Sequence, residues 1–286
     1  MGVVIPQVVT EDRAGGALVV DGTLRFDSGK SQHLKRTPSS AGNRKTFTWS
    51  GWVKRTKLGT YQRFFNARNP GVAQEYMRFN DNDTISISHT SEAGLLITTQ
   101  VFRDVSSWYH IVIAADSTLS TDSDRIKLYV NGVRVTSLTS YLSGYPNQNA
   151  DFLYNSAVIH NIATGDGSTE YTDALISNQY FIDGQQLDAS YFGYTDPLTN
   201  TWRPKKLSSS IAFGTNGFYL PFDGSAPIGQ DQSGRGNNWT PVNFGGSNTI
   251  EKATGALPIL NTDGGGKVAR VGVRTDANAS SLVLAL

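Results

Sequence analysis

An all-β fold, two antiparallel sheets packed as a sandwich or jelly roll, is what this sequence predicts. Three observations carry the expectation. Short segments alternate apolar and polar residues with period two, the pattern of a half-buried strand. Turn-forming residues separate them at short intervals, with 29 glycines in 286 residues. Helical periodicity is almost absent, and about a dozen short strands with frequent turns suit a sandwich.

Composition narrows the function classes. Charged residues make up 17% of the chain and the net charge is +1, so no strong field draws nucleic acid or an anionic membrane. The chain has no cysteine, which fits maturation in a reducing cytoplasm. Its opening residues show no basic-then-apolar signal pattern, and no run of about 18 apolar residues predicts membrane insertion. Five Trp, twelve Tyr and thirteen Phe supply bulky core residues.

The elements follow in order. Residues 1–20 read as an extended N-terminal arm. The next segment, 21–205, reads as the sandwich, and 206–286 as a C-terminal extension. Thr23 to Asp27 alternates as a strand, Ser28-Gly29-Lys30 turns the chain, and Gln32 to Arg36 forms a short second strand. In Thr46 to Lys54, the residues Phe47, Trp49, Gly51 and Val53 share one face and Trp52 takes the other. Gly51 leaves room for an aromatic ring to cross the backbone. Arg63–Ala67 and Tyr76–Phe79 flank an Asn69-Pro70-Gly71 turn, and Thr84–Ser88 alternates strictly. Leu95–Phe102, Trp108–Ala115 and Arg125–Val135 continue the meander, the last around Asn131-Gly132, a type I′ hairpin signal. Residues 139–151 read as a long polar loop, Phe152–Ile162 as a strand, 164–168 as a loop tip, and Tyr171–Ile182 as a further strand. Asp188 is placed to cap one helical turn.

Several of these segments resemble laminin-G-like domains of the concanavalin A-like lectin/glucanase type. The opening strand is Leu24-Arg25-Phe26-Asp27. Phe47 to Lys54 is similar to the family's Phe-x-x-x-x-Trp-Val segment. Ser107-Trp108-Tyr109-His110 is similar to its Trp-x-His strand, Lys127 to Gly132 to its strand entering an Asn-Gly hairpin, and Ala174 to Asp183 to its closing strand. The resemblance runs from Leu24 to Phe192 and implies a concanavalin A-like sandwich used mostly for binding. A second stretch, Phe218 to Gly224 with Asp231 to Asn238, resembles the start of another such domain. The extension therefore either adds strands to the sandwich or opens a second similar module.

The leader Ile5–Arg13, the segment Leu24–Phe192 and the stretch Gly217–Asn238 together resemble structural proteins of tailed marine bacteriophages, cyanophages in particular. That resemblance implies a virion location, with tail-fibre, receptor-binding or capsid-decorating roles. The partners implied are other virion proteins, copies of the same chain (a trimer for a fibre) and a host-surface glycan.

Candidate chemistry is sparse. A glucanase of this fold needs two glutamates alternating along one strand, whereas Glu11, Glu75, Glu92, Glu170 and Glu251 are isolated; no catalytic residue and no enzyme activity is expected. The histidines His33, His89, His110 and His160 lack zinc spacing, and the resemblance, in which His110 matches the histidine of the Trp-x-His strand, implies a structural role for it. Sugar binding calls for aromatic surface beside amides, and the candidates are Tyr141, Tyr145, Asn147 and Asn149 in one loop and Tyr194 and Trp202 in another. Trp49, Trp52 and Trp108 read as core. Hard-cation chemistry makes Asp223, Asp231, Asn237 and Asn238 candidate calcium ligands.

Overall fold

The computed structural model describes residues 22–89, 94–142, 144–224 and 226–244, with Leu18, Val20 and a two-residue strand at 252–253. The expected N-terminal arm lies outside the described residues except for Leu18, whose N–H donates to the Pro204 carbonyl at 3.2 Å, and Val20, which is buried.

In chain order the strands are β1 (Thr23–Phe26), β2 (His33–Arg36), β3 (Thr46–Arg55), β4 (Gln62–Asn69), β5 (Ala73–Phe79), β6 (Thr84–His89), β7 (Gly94–Val101) and β8 (Tyr109–Asp116). A single helical turn, α1 (Asp122–Arg125), precedes β9 (Ile126–Val130), β10 (Val133–Val135), β11 (Leu138–Leu142), β12 (Ile159–Ile162) and β13 (Ala174–Asp183). The chain continues through β14 (Gly193–Thr195), β15 (Trp202–Pro204), β16 (Phe218–Leu220), β17 (Thr240–Val242) and β18 (Lys252–Ala253). The first sheet runs β10-β9-β8-β3-β13-β1-β18, and β16 also pairs with β13. The second runs β11-β7-β6-β5-β4-β12-β2-β17. All pairings are antiparallel, and the two sheets form a jelly-roll sandwich.

The alternation in β3 works as its sequence requires. Phe47, Trp49 and Val53 join the core between the sheets, while Trp52 packs on the opposite face with Trp108 and Leu175. A methyl group on Gly51 would lie 2.8 Å from the Trp49 ring, so this glycine lets the indole lie back across its own strand. The β9–β10 hairpin has positive φ at both Asn131 (50°) and Gly132 (82°), as a type I′ turn demands. Asp188 caps the 3-10 turn Ala189–Tyr191 by accepting from the Ser190 N–H.

Two expectations are corrected. Residues 138–142 are not loop but strand β11, paired with β7. Conversely, only Ile159–Ile162 of the stretch from Phe152 is strand. The reason is Glu75, a buried carboxylate that accepts the N–H groups of Leu153 (2.8 Å) and Tyr154 (3.3 Å). Those donors would otherwise serve a ladder, and Asn155 then turns the chain at φ 66°.

Among the described residues beyond 206, strands β16, β17 and β18 are woven into this sandwich. β13 has a register shift between Ser177 and Tyr180; below it β1 pairs with β13, and beyond it β16 takes the same side. β17 lengthens the second sheet beside β2, and β18 borders β1. The segment from Leu187 to Tyr219 folds over the outer face of the first sheet. There Leu187, Phe192 and Leu207 bury Val112, Tyr180 and Ile182, and Tyr219 stacks on Tyr180 with ring centroids 4.3 Å apart.

Candidate functional site

The residues singled out for sugar binding do not converge. Asn131-Gly132 and Gly193 press against Trp202, since a methyl group on either glycine would fall 2.4 Å from its ring. The indole Nε1 donates to His110 Nδ1 at 2.9 Å, and the two rings stack. His110 is itself stacked on Trp52 at 4.8 Å, and its Nε2 lies 2.9 Å from the Ser50 hydroxyl. Because Nδ1 accepts from the indole, the imidazole is neutral with its proton on Nε2. Burial holds its pKa down at about 3. Trp202 is therefore a lid on a structural histidine rather than an open platform, and His110 is structural as its sequence context suggests.

Tyr194 is half-buried on β14, paired through the backbone with Arg203. Tyr145 is half-buried against the core between the sheets, whereas Trp202 belongs to the clusters on the outer face of the first sheet. Asn147 and Asn149 are exposed, and the backbone of Asn149 donates to the Ser117 carbonyl at 2.7 Å. Tyr141 sits in β11 opposite Leu95, and its side chain lies outside the described residues.

The candidate calcium loop is self-satisfied. The Asp231 carboxylate accepts from the Tyr219, Ser233 and Asn237 N–H groups and the Ser233 hydroxyl, at 2.8–2.9 Å. Asn238 Oδ1 accepts from the Asp231 N–H, and the Asn237 amide donates to the Thr215 and Gly217 carbonyls while its oxygen accepts from Arg36. A carboxylate offers about four acceptor sites, and N–H and O–H donors already occupy them. This donor set does not fit calcium, which would have to displace those hydrogen bonds. Asp223 lines a small cavity with Leu24, Leu220 and Ile228. Among the described residues, no cluster of three or more His, Cys, Asp or Glu is placed to hold a metal.

A site with no motif behind it appears on the outer face of the second sheet. Strands β4 and β5 place Arg63 opposite Arg78 and Asn66 opposite Tyr76. A register shift between Arg63 and Phe65 turns both Phe64 and Phe65 into the core and leaves Arg63 on the outer face. Neighbouring β12 adds Asn161 opposite Asn66, and β6 adds Ser86 opposite Arg78. The loop after β12 then folds over this polar ladder. Glu170, held at a left-handed φ of 51°, bonds Arg63 Nε and lies 3.1 Å from Arg78 Nη1. Gln74 accepts from Arg63 at 2.8 Å, Asn66 donates to the Gly165 carbonyl, and Asp166 pairs with Arg68 at 3.5 Å.

The guanidiniums of Arg63 and Arg78 sit 4.4 and 4.3 Å from the Tyr76 ring centroid, and Arg78 also covers Tyr61 at 4.2 Å. Between the loop and the β4–β5 hairpin opens a cleft of about 470 Å³, walled chiefly by Arg63, Arg68, Gln74, Asp166 and Glu170. Burial alone would raise the Asp166 pKa, but hydrogen bonds from Ser168 and Thr169 hold it at about 2, so it is a fixed anion. Chemically the cleft offers charged donors and acceptors, with little apolar surface. Sequence reading missed it because its members are scattered from Arg63 to Glu170. No local spacing marks them, since Arg63, Arg68 and Arg78 follow no strand or helix period in the sequence.

The two-sheet sandwich, with its Trp-bearing strands and Asn-Gly hairpin, defines a lectin-type jelly roll. Residues 26–183 match the family model described as the concanavalin A-like lectin/glucanases superfamily, and the chain belongs to that superfamily. Domains of this kind are usually non-catalytic binding modules, and the superfamily also includes enzymes. Solved structures with similar architecture include the heptameric SAP-like pentraxin of Limulus polyphemus, at 12% identity over 59% of this chain and 78% of that one, with a TM-score of 0.43. The mouse laminin α1 chain, domains LG4-5, aligns at 13% identity over 67% of this chain and 49% of that one, with a TM-score of 0.42. Tailspike protein 2 of Escherichia coli O157:H7 bacteriophage CAB120 aligns at 14% identity over 62% of this chain and 27% of that one, with a TM-score of 0.35. At these scores the likenesses carry no argument about ligand or role. No curated protein sequence matches the chain.

Proposed function

We propose that this protein is a non-catalytic structural module of a tailed bacteriophage particle, a tail-fibre or appendage sandwich that makes subunit contacts and adheres to a host-surface glycan. The particle assignment rests on the three-part sequence resemblance of Ile5–Arg13, Leu24–Phe192 and Gly217–Asn238. The adhesion assignment rests on the superfamily and on the cleft over the second sheet. One observation favours binding over catalysis above the rest. Both glutamates among the described residues are committed to structure, Glu75 to backbone N–H groups inside the sandwich and Glu170 to two guanidiniums, which ties up the carboxylates that glycoside hydrolysis would use as acid and nucleophile.

The test is made on purified particles. Mass spectrometry and antibody labelling should find the chain at tail or appendage positions. Labelling of the capsid shell would instead make it a decoration protein. Absence from particles together with saturable binding of the isolated protein on a glycan array would make it a free lectin and would sink the structural reading.

A further inference from the structure

We propose that the cleft between the β4–β5 hairpin and the loop 163–172 is the glycan site and that its ligand is an acidic saccharide, whose carboxylate is taken by Arg63 and Arg68. The inference rests on the adhesion reading above and names the ligand class for it. The first observation is one of access. Among the described residues, the outer face of the first sheet is covered by the segment from Leu187 to Tyr219, which leaves the outer face of the second sheet as the one with a cleft.

The second observation is the charge count. The cleft walls Arg63, Arg68, Asp166 and Glu170 balance one another, and Arg78, behind the wall and sharing Glu170 with Arg63, brings the group to one positive charge in excess. Arg63 and Arg78 are directly opposite on neighbouring strands, where like charges repel, and a single carboxylate bridges them. A monoanion in the cleft completes the neutralisation.

The third observation is geometric. Arg63 is 5% exposed, uses Nε on Glu170 and Nη1 on Gln74, and its ring contact with Tyr76 locks the plane of the fork. The rest of the fork borders the cleft, so a planar carboxylate meets a preorganised guanidinium and little ordering entropy is lost. Neutral sugars are usually held by stacking on an open ring, but here the Tyr76 ring is already occupied by two guanidiniums. Recognition therefore runs through charge-assisted hydrogen bonds, with Gln74 and Glu170 at the wall to accept from sugar hydroxyls.

The experiment is calorimetric titration of the full chain with oligogalacturonate, a carboxylate saccharide, against neutral galacto-oligosaccharide and sulfated dextran. Oligogalacturonate should bind, weaken several-fold between low and moderate salt, and lose about tenfold in Arg68→Gln, where the side chain is 31% exposed and the fold is expected to hold. Arg63→Lys, which keeps the charge but not the fork, should weaken it as well, with melting curves confirming that both variants are folded. Equal binding of the neutral oligosaccharide, or of only the sulfated polymer, overturns the carboxylate assignment and leaves glycan adhesion standing. Saccharide binding unchanged in both variants moves the site elsewhere. Binding of none of the three, followed by an empty glycan array, overturns the adhesion reading itself.

Discussion

His110 shows how much a single side chain can organise here. Its two ring nitrogens are both used, one by the Ser50 hydroxyl and one by the Trp202 indole, and its ring packs against Trp52 and Trp202. Protonation would set an N–H against the indole N–H and leave a charge in a dry site. Trp202→Ala should therefore lower stability by about 2–3 kcal/mol, less than full burial would give because the ring is only partly buried, and thermal unfolding would register the loss. His160 is held the same way. Its Nδ1 donates to the Val158 carbonyl and its Nε2 accepts from the Asn155 N–H, and burial depresses its pKa to about 4. His89, beside the Gly144 carbonyl, is also held at about 4 by burial.

The sign of the pH effect follows from these three. Each binds a proton in the unfolded chain below the ordinary imidazole value of 6.5 but not in the folded one until about 3 or 4. The unfolded state thus carries more protons in that window. Stability is full above about pH 6.5 and falls with acidification by about 1.4 kcal/mol per pH unit for each histidine. Urea midpoints measured from pH 7 to pH 4 should decline steadily; a flat profile would contradict the buried neutral assignments.

Among the elements, β3 is where local pattern and packing agree most closely. Its alternation sends Phe47, Trp49 and Val53 inward and Trp52 outward, and the glycine between the tryptophans is required by the Trp49 ring. Gly51→Ala should cost about 1–3 kcal/mol, because the added methyl group forces the indole or the strand to move; a variant as stable as the parent would refute the tight approach. The stretch after Phe152 shows the opposite case. Its aromatic and β-branched residues suit a strand, but the Glu75 carboxylate reaches from β5 and takes the N–H groups of Leu153 and Tyr154. A long-range hydrogen bond overrides local propensity there, and nothing near Phe152 announces it. β11 was hidden for a related reason. Its residues read as polar loop, and only the edge of β7 gives them partners.

At the scale of the molecule, the described strands beyond 206 take their structure from the sandwich. β16 and β17 are three residues each, too short to stand alone, and each is stabilised by pairing with a strand far earlier in the chain. The Asp231 turn locks β16 by accepting the Tyr219 N–H. Asp231→Asn should destabilise the protein by about 1–3 kcal/mol, since one oxygen acceptor becomes a donor facing N–H groups. Because hydrogen-bond donors fill this carboxylate, a chelator should leave the melting temperature unchanged. A fall in the melting temperature on chelation, reversed by calcium, would show that the loop holds metal after all.

The sequence by itself determined the all-β class, the positions of most strands, the hairpin at Asn131-Gly132, the burial of Trp49, Trp52 and Trp108 and the structural character of His110. Each of these follows from period-two alternation, turn chemistry or a local motif, all of which are written in neighbouring residues. Only the tertiary structure decided the rest. It spent Trp202 on His110, separated Tyr145 from Trp202, filled the acceptor sites of Asp231 with N–H and O–H groups, and brought Arg63, Arg68, Asp166 and Glu170 to one cleft. The physical reason is that a binding site on a sheet face is assembled across strands. Residues adjacent in space there are some hundred positions apart in the chain, and no local pattern records which face remains open after the C-terminal segment has covered the other.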